Sequence, residues 1–313
     1  MRISSSTFTE NFLGQTQRLE QQQNTLQEQA SSGLKVTLPE DNPSVMAQVL
    51  NLQTDSASNT QYQNNIAQLQ NTATASGTAM TSLQTLVSQV NEIATAASSG
   101  TTSSTQLSAY ATQVASLIKQ AVQLGNTQDA NGNYIFSGTA SNTQAFTATT
   151  NSSGDITAVA YHGNSEVAES QIGSNMTVAA QVPGANSSGS GAEGLFTDSR
   201  TGADLFSHMI ALQQNLAAGN TSAIASTDAP ALAKDEDNVV NQISANGVMQ
   251  SALTAAGNLA TAQSTNLTTQ ISGDTNADLA QTLTELSQTQ TAYQAALESG
   301  TMVMNLSLLN YIH

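Results

Sequence analysis

The two ends of the chain carry seven-residue patterns, and these limit the possible folds more than any other feature. From Leu279 onward, Leu279, Leu283, Leu286, Gln290, Tyr293, Leu297, Gly300 and Met304 follow in alternating steps of four and three, the seam of a coiled coil. At the other end Phe12, Leu19 and Leu26 recur every seventh residue, with Phe8 as a further anchor and glutamines in the alternate seam positions. A stripe this thin leaves an isolated helix marginal. The two ends are therefore expected to order against each other and against neighbouring copies of the chain.

Composition supports packed helices over a single large core. The chain is 38% hydrophobic, much of it alanine, with 4% aromatic residues and no tryptophan. Six basic residues face 22 acidic ones, for a formal charge of −16, so a basic patch for nucleic acid or an anionic membrane surface is excluded. No apolar run reaches the roughly 20 residues of a membrane span. The first fifteen residues lack a charged region followed by an apolar one, so no cleavable secretory signal is expected. Cysteine is absent, which suits an exported protein.

Four prolines, at 39, 43, 183 and 230, punctuate the chain. A first helix is predicted over residues 1–34, ended by Ser32-Gly33 and the Pro39–Pro43 stretch. A second runs from about Ser44 to Ser98 on the stripe Val45, Leu52, Asn59, Ile66, Ala73, Met80, Val87, Ala94, with Leu69, Ser76, Leu83, Val90 and Ala97 as a second row. A third carries Leu107, Tyr110, Val114, Leu117, Ala121 and Leu124. After Gly125 the period changes. Tyr134-Ile135-Phe136 reads as a short strand, and 146–150 with 156–161 as a hairpin. Val167–Ile172 and Met176–Val182 are further strand candidates, and Ala185–Gly194 a flexible Gly/Ser loop. Helices return at Leu205–Leu216 and from about Ala231 to Ile271. The fold class is mainly α with an inserted β-rich domain: an elongated antiparallel helical rod whose terminal helices pair as a coiled coil.

Motifs that could carry chemistry are weak. Gly189-Ser190-Gly191-Ala192-Glu193-Gly194 has dinucleotide-loop spacing but neither the strand before nor the helix after that such a loop needs. His162, His208 and His313 lack metal-ligand spacing and read as ordinary surface or partly buried histidines. Asp235-Glu236-Asp237 lies within a helix, where successive residues point apart, and reads as a solvated face. No catalytic, cofactor-binding or metal residues are assigned, and an enzyme is not expected. Gln15, Gln22, Gln29, Asn59 and Gln290 fall in or near the seams, either as buried register-setting amides or as exposed positions.

Four stretches resemble the flagellin superfamily, and within it the proteins of the hook–filament junction. They are Met1-Arg2-Ile3-Ser4; Ser31–Val36 followed by Pro39-Glu40-Asp41-Asn42-Pro43; Asp129–Gly138, which holds Gly132-Asn133-Tyr134-Ile135-Phe136-Ser137-Gly138; and the C-terminal runs Asp278–Ala280, Gln288–Ala295 and Ser307–Ile312. Pro43 and the Tyr-Ile-Phe-Ser-Gly run favour the junction group over filament flagellins, which remain the alternative. Asn42 and Asn276 stand where the family often has acids, and the 244–253 stretch lacks an arginine often found there.

The resemblance and the periodicities divide the chain into a polymerisation helix at 1–43 paired with another at 273–313, helical rod segments at 44–139 and 201–272, and an outer β-rich domain at 140–200. The expected assembly interface is Ile3, Phe8, Phe12, Leu19, Leu26, Leu279, Leu283, Leu286, Tyr293, Leu297, Met304, Leu308, Leu309 and Tyr311. The expected junction of rod and outer domain is Asn133, Tyr134, Ile135, Phe136 and Gly138. The resemblance implies a structural subunit joining hook to filament in the extracellular flagellum. Its implied partners are copies of itself, another hook-associated protein, flagellin, an export chaperone and the type III export apparatus.

Overall fold

The computed structural model describes residues 5–309, with side chains described for 9–303. The chain is mainly α-helical with a small β-containing insertion, as the sequence patterns require. It divides into two compact units: residues Asn59–Ala262, and the two ends, Met1–Ser58 with Gln263–His313.

In the unit of the two ends, α1 (Ser5–Ser32) packs on α7 (Leu279–Leu309). Gly33, at φ +74°, ends α1 in the left-handed region that glycine enters freely, and its N–H bonds back to Gln29 O at 2.9 Å. The chain then pairs with the turn ahead of α7. Lys35 N donates to Thr275 O at 2.7 Å and Ala277 N to Gly33 O at 2.8 Å, around a Leu34–Asn276 bridge. The α1 end at Gly33 thus meets the α7 start, and Phe12 meets Gly300, so the helices run antiparallel. Asn42 caps α2 (Pro43–Ser98) by accepting the Val45 N–H at 3.2 Å. The amide found where the resemblance expects an acid therefore serves the cap as well. Pro43 opens the helix, where its missing N–H costs nothing.

The second unit holds most of α2, α3 (Ser104–Gly125), the insertion, α4 (Leu205–Ala218), and the helix formed by α5 (Thr221–Ala223), a π turn (Ile224–Asp228) and most of α6 (Ala229–Thr275). The π turn has a cause. Pro230 has no N–H and its ring would collide with a carbonyl four residues back, and the wider turn relieves this. Both predicted rows of α2 are buried from Ile66 to Ala97: from Met80 onward they share a core with Leu107, Val114, Leu117 and Ala121 of α3 and Met209, Leu212 and Leu216 of α4, while Ile66, Leu69 and Ala73 cluster with Leu253 and Ala260 of α6. Gly219, at φ +69°, ends α4.

Amides do much of the joining where leucine is scarce. Asn59 Nδ2 and Gln63 Nε2 of α2 donate to Ala260 O of α6 at 2.8 and 3.0 Å. In return Asn246 Nδ2 and Gln250 Nε2 of α6 donate to Ala73 O at 2.9 and 3.1 Å. Gly77 leaves the space that the Asn246 amide fills, since a Cβ there would lie 2.7 Å from its Nδ2. Asn59 is thus one of the buried amides, whereas Gln15, Gln22 and Gln290 are exposed.

The insertion holds three small sheets. β1 (Phe146–Thr150) and β2 (Ile156–Tyr161) form the antiparallel hairpin read from the sequence. β3 (Ser170–Gly173) and β4 (Met176–Val178) form a second, which sets Ile172 among Ile66, Leu69 and Leu253. Tyr134–Phe136 is not a strand but a bend between loops, with a single bridge from Gln128 to Tyr134. The third sheet was not anticipated: β5 (Ala185–Asn186) runs parallel to β6 (Thr197–Asp198), which pairs antiparallel with β7 (Ala203–Asp204).

Candidate assembly face and junction

Among the described side chains, the face of α1 turned to its partner helix is Phe12, Thr16, Leu19, Gln23, Leu26 and Ala30, all buried or half-buried. That of α7 is Thr282, Leu286, Thr289, Tyr293, Ala296 and Gly300. Both run in steps of four and three. The α7 face shares Leu286, Tyr293 and Gly300 with the leucine seam. Its alternate positions are one residue earlier, on Thr282, Thr289 and Ala296. Small residues let the helices approach. The Thr16 hydroxyl donates to Phe12 O at 3.1 Å and the Thr282 hydroxyl to Asp278 O at 2.9 Å, so burial leaves neither unbonded.

The consequence is a second apolar row. Leu279, Leu283 and Leu297 remain 48%, 55% and 43% exposed in the single chain, with Met302 and Val303 also outward and Leu13 outward on α1. Leu26 is buried, while Phe12, Leu19, Leu286 and Tyr293 are half-buried. Phe8, Met304, Leu308 and Leu309 fall on α1 and α7, but their side chains lie outside the described ones, and Ile3 and Tyr311 lie outside the described residues altogether.

The junction residues gather within the second unit. Asp129 organises the turn: its carboxylate accepts the N–H groups of Asn131 and Asn133 at 2.8 and 2.9 Å. Partial burial pushes its pKa up, but these bonds outweigh it and hold the carboxyl below its ordinary value. Ile135 and Phe136 are buried, and Asn133 and Tyr134 are half-buried. Phe136 meets Phe196 edge-on at 5.8 Å between ring centres, Phe146 meets Phe196 at 4.9 Å, and Phe196 stacks on Phe206 at 5.2 Å. Four of the six phenylalanines thus share one cluster, which ties the turn to the insertion and to α4. Gly138, at φ +66°, passes so near the backbone of Asn164 and Glu166 that no side chain fits. The Tyr161 hydroxyl donates to Phe136 O or Asn164 O, at 3.0 and 2.9 Å, and its burial pushes its pKa up to about 12.

Two polar sites were not legible in the sequence. Asp198, fully buried, accepts from Arg200 Nε at 3.0 Å and Nη2 at 2.6 Å and from the Gly194 N–H at 2.9 Å. Burial opposes its charge, yet the Arg200 and backbone bonds prevail and its pKa falls to about 2. Arg200 Nη1 also donates to Gly191 O at 3.0 Å. The Gly/Ser loop read as a flexible linker is therefore pinned by polar contacts. The second site joins His208 of α4 to Asp235 of α6, Nδ1 to Oδ2, at 2.8 Å. The acidic run 235–237 does point three ways: Asp235 inward, Glu236 to Ser88 and Asn91 of α2, and Asp237 outward. The solvated-face reading thus fails for Asp235, which is 1% exposed. His162 is exposed and bonds Thr147 at 2.7 Å, and His313 lies outside the described residues.

No group of three metal-binding side chains converges among the described residues, and no described helix is long and apolar enough to cross a membrane. Open grooves of about 330 Å3 between α2 and α3 and about 300 Å3 between α2 and α6 are lined by glutamine, threonine and aliphatic residues without an ionisable group.

Residues 3–141 match the family model described as the bacterial flagellin N-terminal helical region. No curated protein matches the sequence. Among solved structures, a putative flagellar hook-associated protein from Vibrio parahaemolyticus superposes with a TM-score of 0.63 at 22% identity, covering 76% of this chain and 100% of that one. FlgL from Bacillus cereus gives 0.55 at 16% identity, over 71% and 99% of the two chains. Flagellar hook associated protein-3 from Legionella pneumophila gives 0.52 at 16%, over 77% and 99%. The helical pairing at the N-terminal region and this fold define a flagellin-type architecture. Residues 3–141 thus carry a region of the flagellin N-terminal type, and the chain has a fold like that of hook-associated protein 3.

Proposed function

We propose that the chain is a structural subunit at the hook–filament junction of an extracellular flagellum. The observation that carries this reading is the spare apolar row on α7: the intramolecular pairing takes the Thr282–Gly300 face and leaves Leu279, Leu283 and Leu297 for neighbouring subunits. Residues 1–43 and 273–313 act as the polymerising ends, joined by Ile3, Phe8, Met304, Leu308, Leu309 and Tyr311. Residues 44–139 and 201–272 form the shaft, and 140–200 face outward from the junction at Asn133–Gly138. Neighbours are copies of the chain, another hook-associated protein and flagellin. Delivery is by a chaperone and the type III export apparatus.

The test is a pair of substitutions, Leu283→Glu and Leu297→Glu. Both side chains are exposed in the single chain, so its melting temperature should hold while assembly with itself and with flagellar partners fails. Unchanged incorporation at the base of purified filaments would overturn the reading. The match of residues 3–141 to the flagellin family supports a second reading, a filament subunit. Long fibres formed by the purified chain alone, seen by electron microscopy, would favour it.

A further inference from the structure

We infer that the contact of His208 with Asp235 is a proton-dependent latch, which fastens the start of α4 and the β6–β7 segment to α6. The geometry isolates one buried carboxylate with two tasks. Oδ1 of Asp235 accepts the N–H of Asp204, the residue that ends β7 and precedes α4, at 2.9 Å. Oδ2 accepts from His208 Nδ1, one turn into α4, at 2.8 Å. The same face of α6 continues the grip. Asn238 Nδ2 donates to Gly194 O and Leu195 O, each at 2.9 Å, and Gln242 Nε2 donates to Glu193 at 3.2 Å. Asn238 and Gln242 do not titrate. His208 is therefore the member of this row whose charge changes near neutral pH.

Charges around the latch favour the imidazolium. The groups acting on His208 are Asp235 of α6, Asp204 ahead of α4 and Asp228 of the π turn, all acidic. Arg200 is engaged with Asp198, Glu236 turns to α2 and Asp237 to solvent, so among the described residues His208 makes Asp235's one ion pair. The hydrogen bond that His208 donates to Asp235, above all, raises the His208 pKa from its ordinary value. Burial pushes the Asp235 carboxyl up, so a charge there without a cation is unfavourable. For a group whose folded pKa is raised, the stabilisation is complete below the unfolded value. It is lost as pH rises through the folded one. The latch is fastened in mildly acidic medium and loosens as the surroundings turn alkaline.

The test uses the full-length chain. NMR of the three histidine imidazoles, with His208→Asn to assign the signal, should show His208 titrating above about 6.5. Amide-exchange protection of residues 203–210, corrected for intrinsic rates, should fall across that titration, by up to about tenfold for each unit of the shift. In Asp235→Asn the His208 signal should return toward about 6.5. If that variant fails to fold, His208→Asn carries the test: its amide retains a donor without a titration, and its protection should not vary between about pH 6 and about pH 9. Wild-type protection that is level over this range, or a His208 that titrates at or below its ordinary value, overturns the inference.

Discussion

The ring of Phe12 on α1 lies against Gly300 on α7, where a Cβ would overlap it. The relationship gives one helical glycine a steric reason. In an open helix position, Gly→Ala stabilises by about 1 kcal/mol. At Gly300 the overlap should reverse the sign, with a loss of roughly 1 kcal/mol or more. Gly14, with nothing within 4 Å of its Cβ position, is the control, and Gly14→Ala should stabilise by roughly 0.5–1 kcal/mol. Exchange protection of α1 and α7 measures both.

Ser76 should be improvable. Its hydroxyl is fully buried in the second row of α2 and has no hydrogen-bond partner. Removing an unsatisfied buried polar group recovers about 1 kcal/mol. Ser76→Ala is therefore expected to raise the denaturation midpoint, and a drop would mean that the hydroxyl makes a contact in solution.

Asp198 sets an acid limit. Its pKa is depressed from 3.8 to about 2, so its contribution is present above the unfolded value and disappears as pH falls through about 2. The shift corresponds to about 2 kcal/mol. The stability of the wild type should fall by that much between about pH 5 and about pH 2, beyond any loss in Asp198→Asn. Equal acid sensitivity in the two chains would remove the pair from this role.

Self-association should depend on salt. Each copy carries a formal charge of −16, and the spare row on α7 offers apolar contact and no basic residues to offset it. Screening shortens the repulsion to about 10 Å at 0.1 M ionic strength. Sedimentation should therefore show more assembly as salt rises, and Leu283→Glu should abolish that response.

The helices were legible because their signals are local and repeated. Glycine after the ends at 33 and 219 and the double row on α2 agree with the structure. The β1–β2 hairpin was legible from its alternation around a polar turn. The packed face of α7 was not. Leucine marked the seam more strongly than threonine and alanine, yet close approach of α1 favours the smaller side chains, and a monomer's contacts and an oligomer's share one sequence pattern. The His208–Asp235 and Asp198–Arg200 contacts join residues whose types are common and whose meeting depends on tertiary packing. The two-residue strands β5–β7 are too short to carry an alternation at all.

The clasps that Asn59, Gln63, Asn246 and Gln250 make to backbone carbonyls of the facing helix have a consequence beyond the native state. An amide holds its partner only when both helices exist. Once they melt, it is simply well hydrated, whereas a leucine in its place would seek other greasy company. Unspooled, the stretches of α2 and α6 that carry these amides offer less to collapse around than leucines in the same places would.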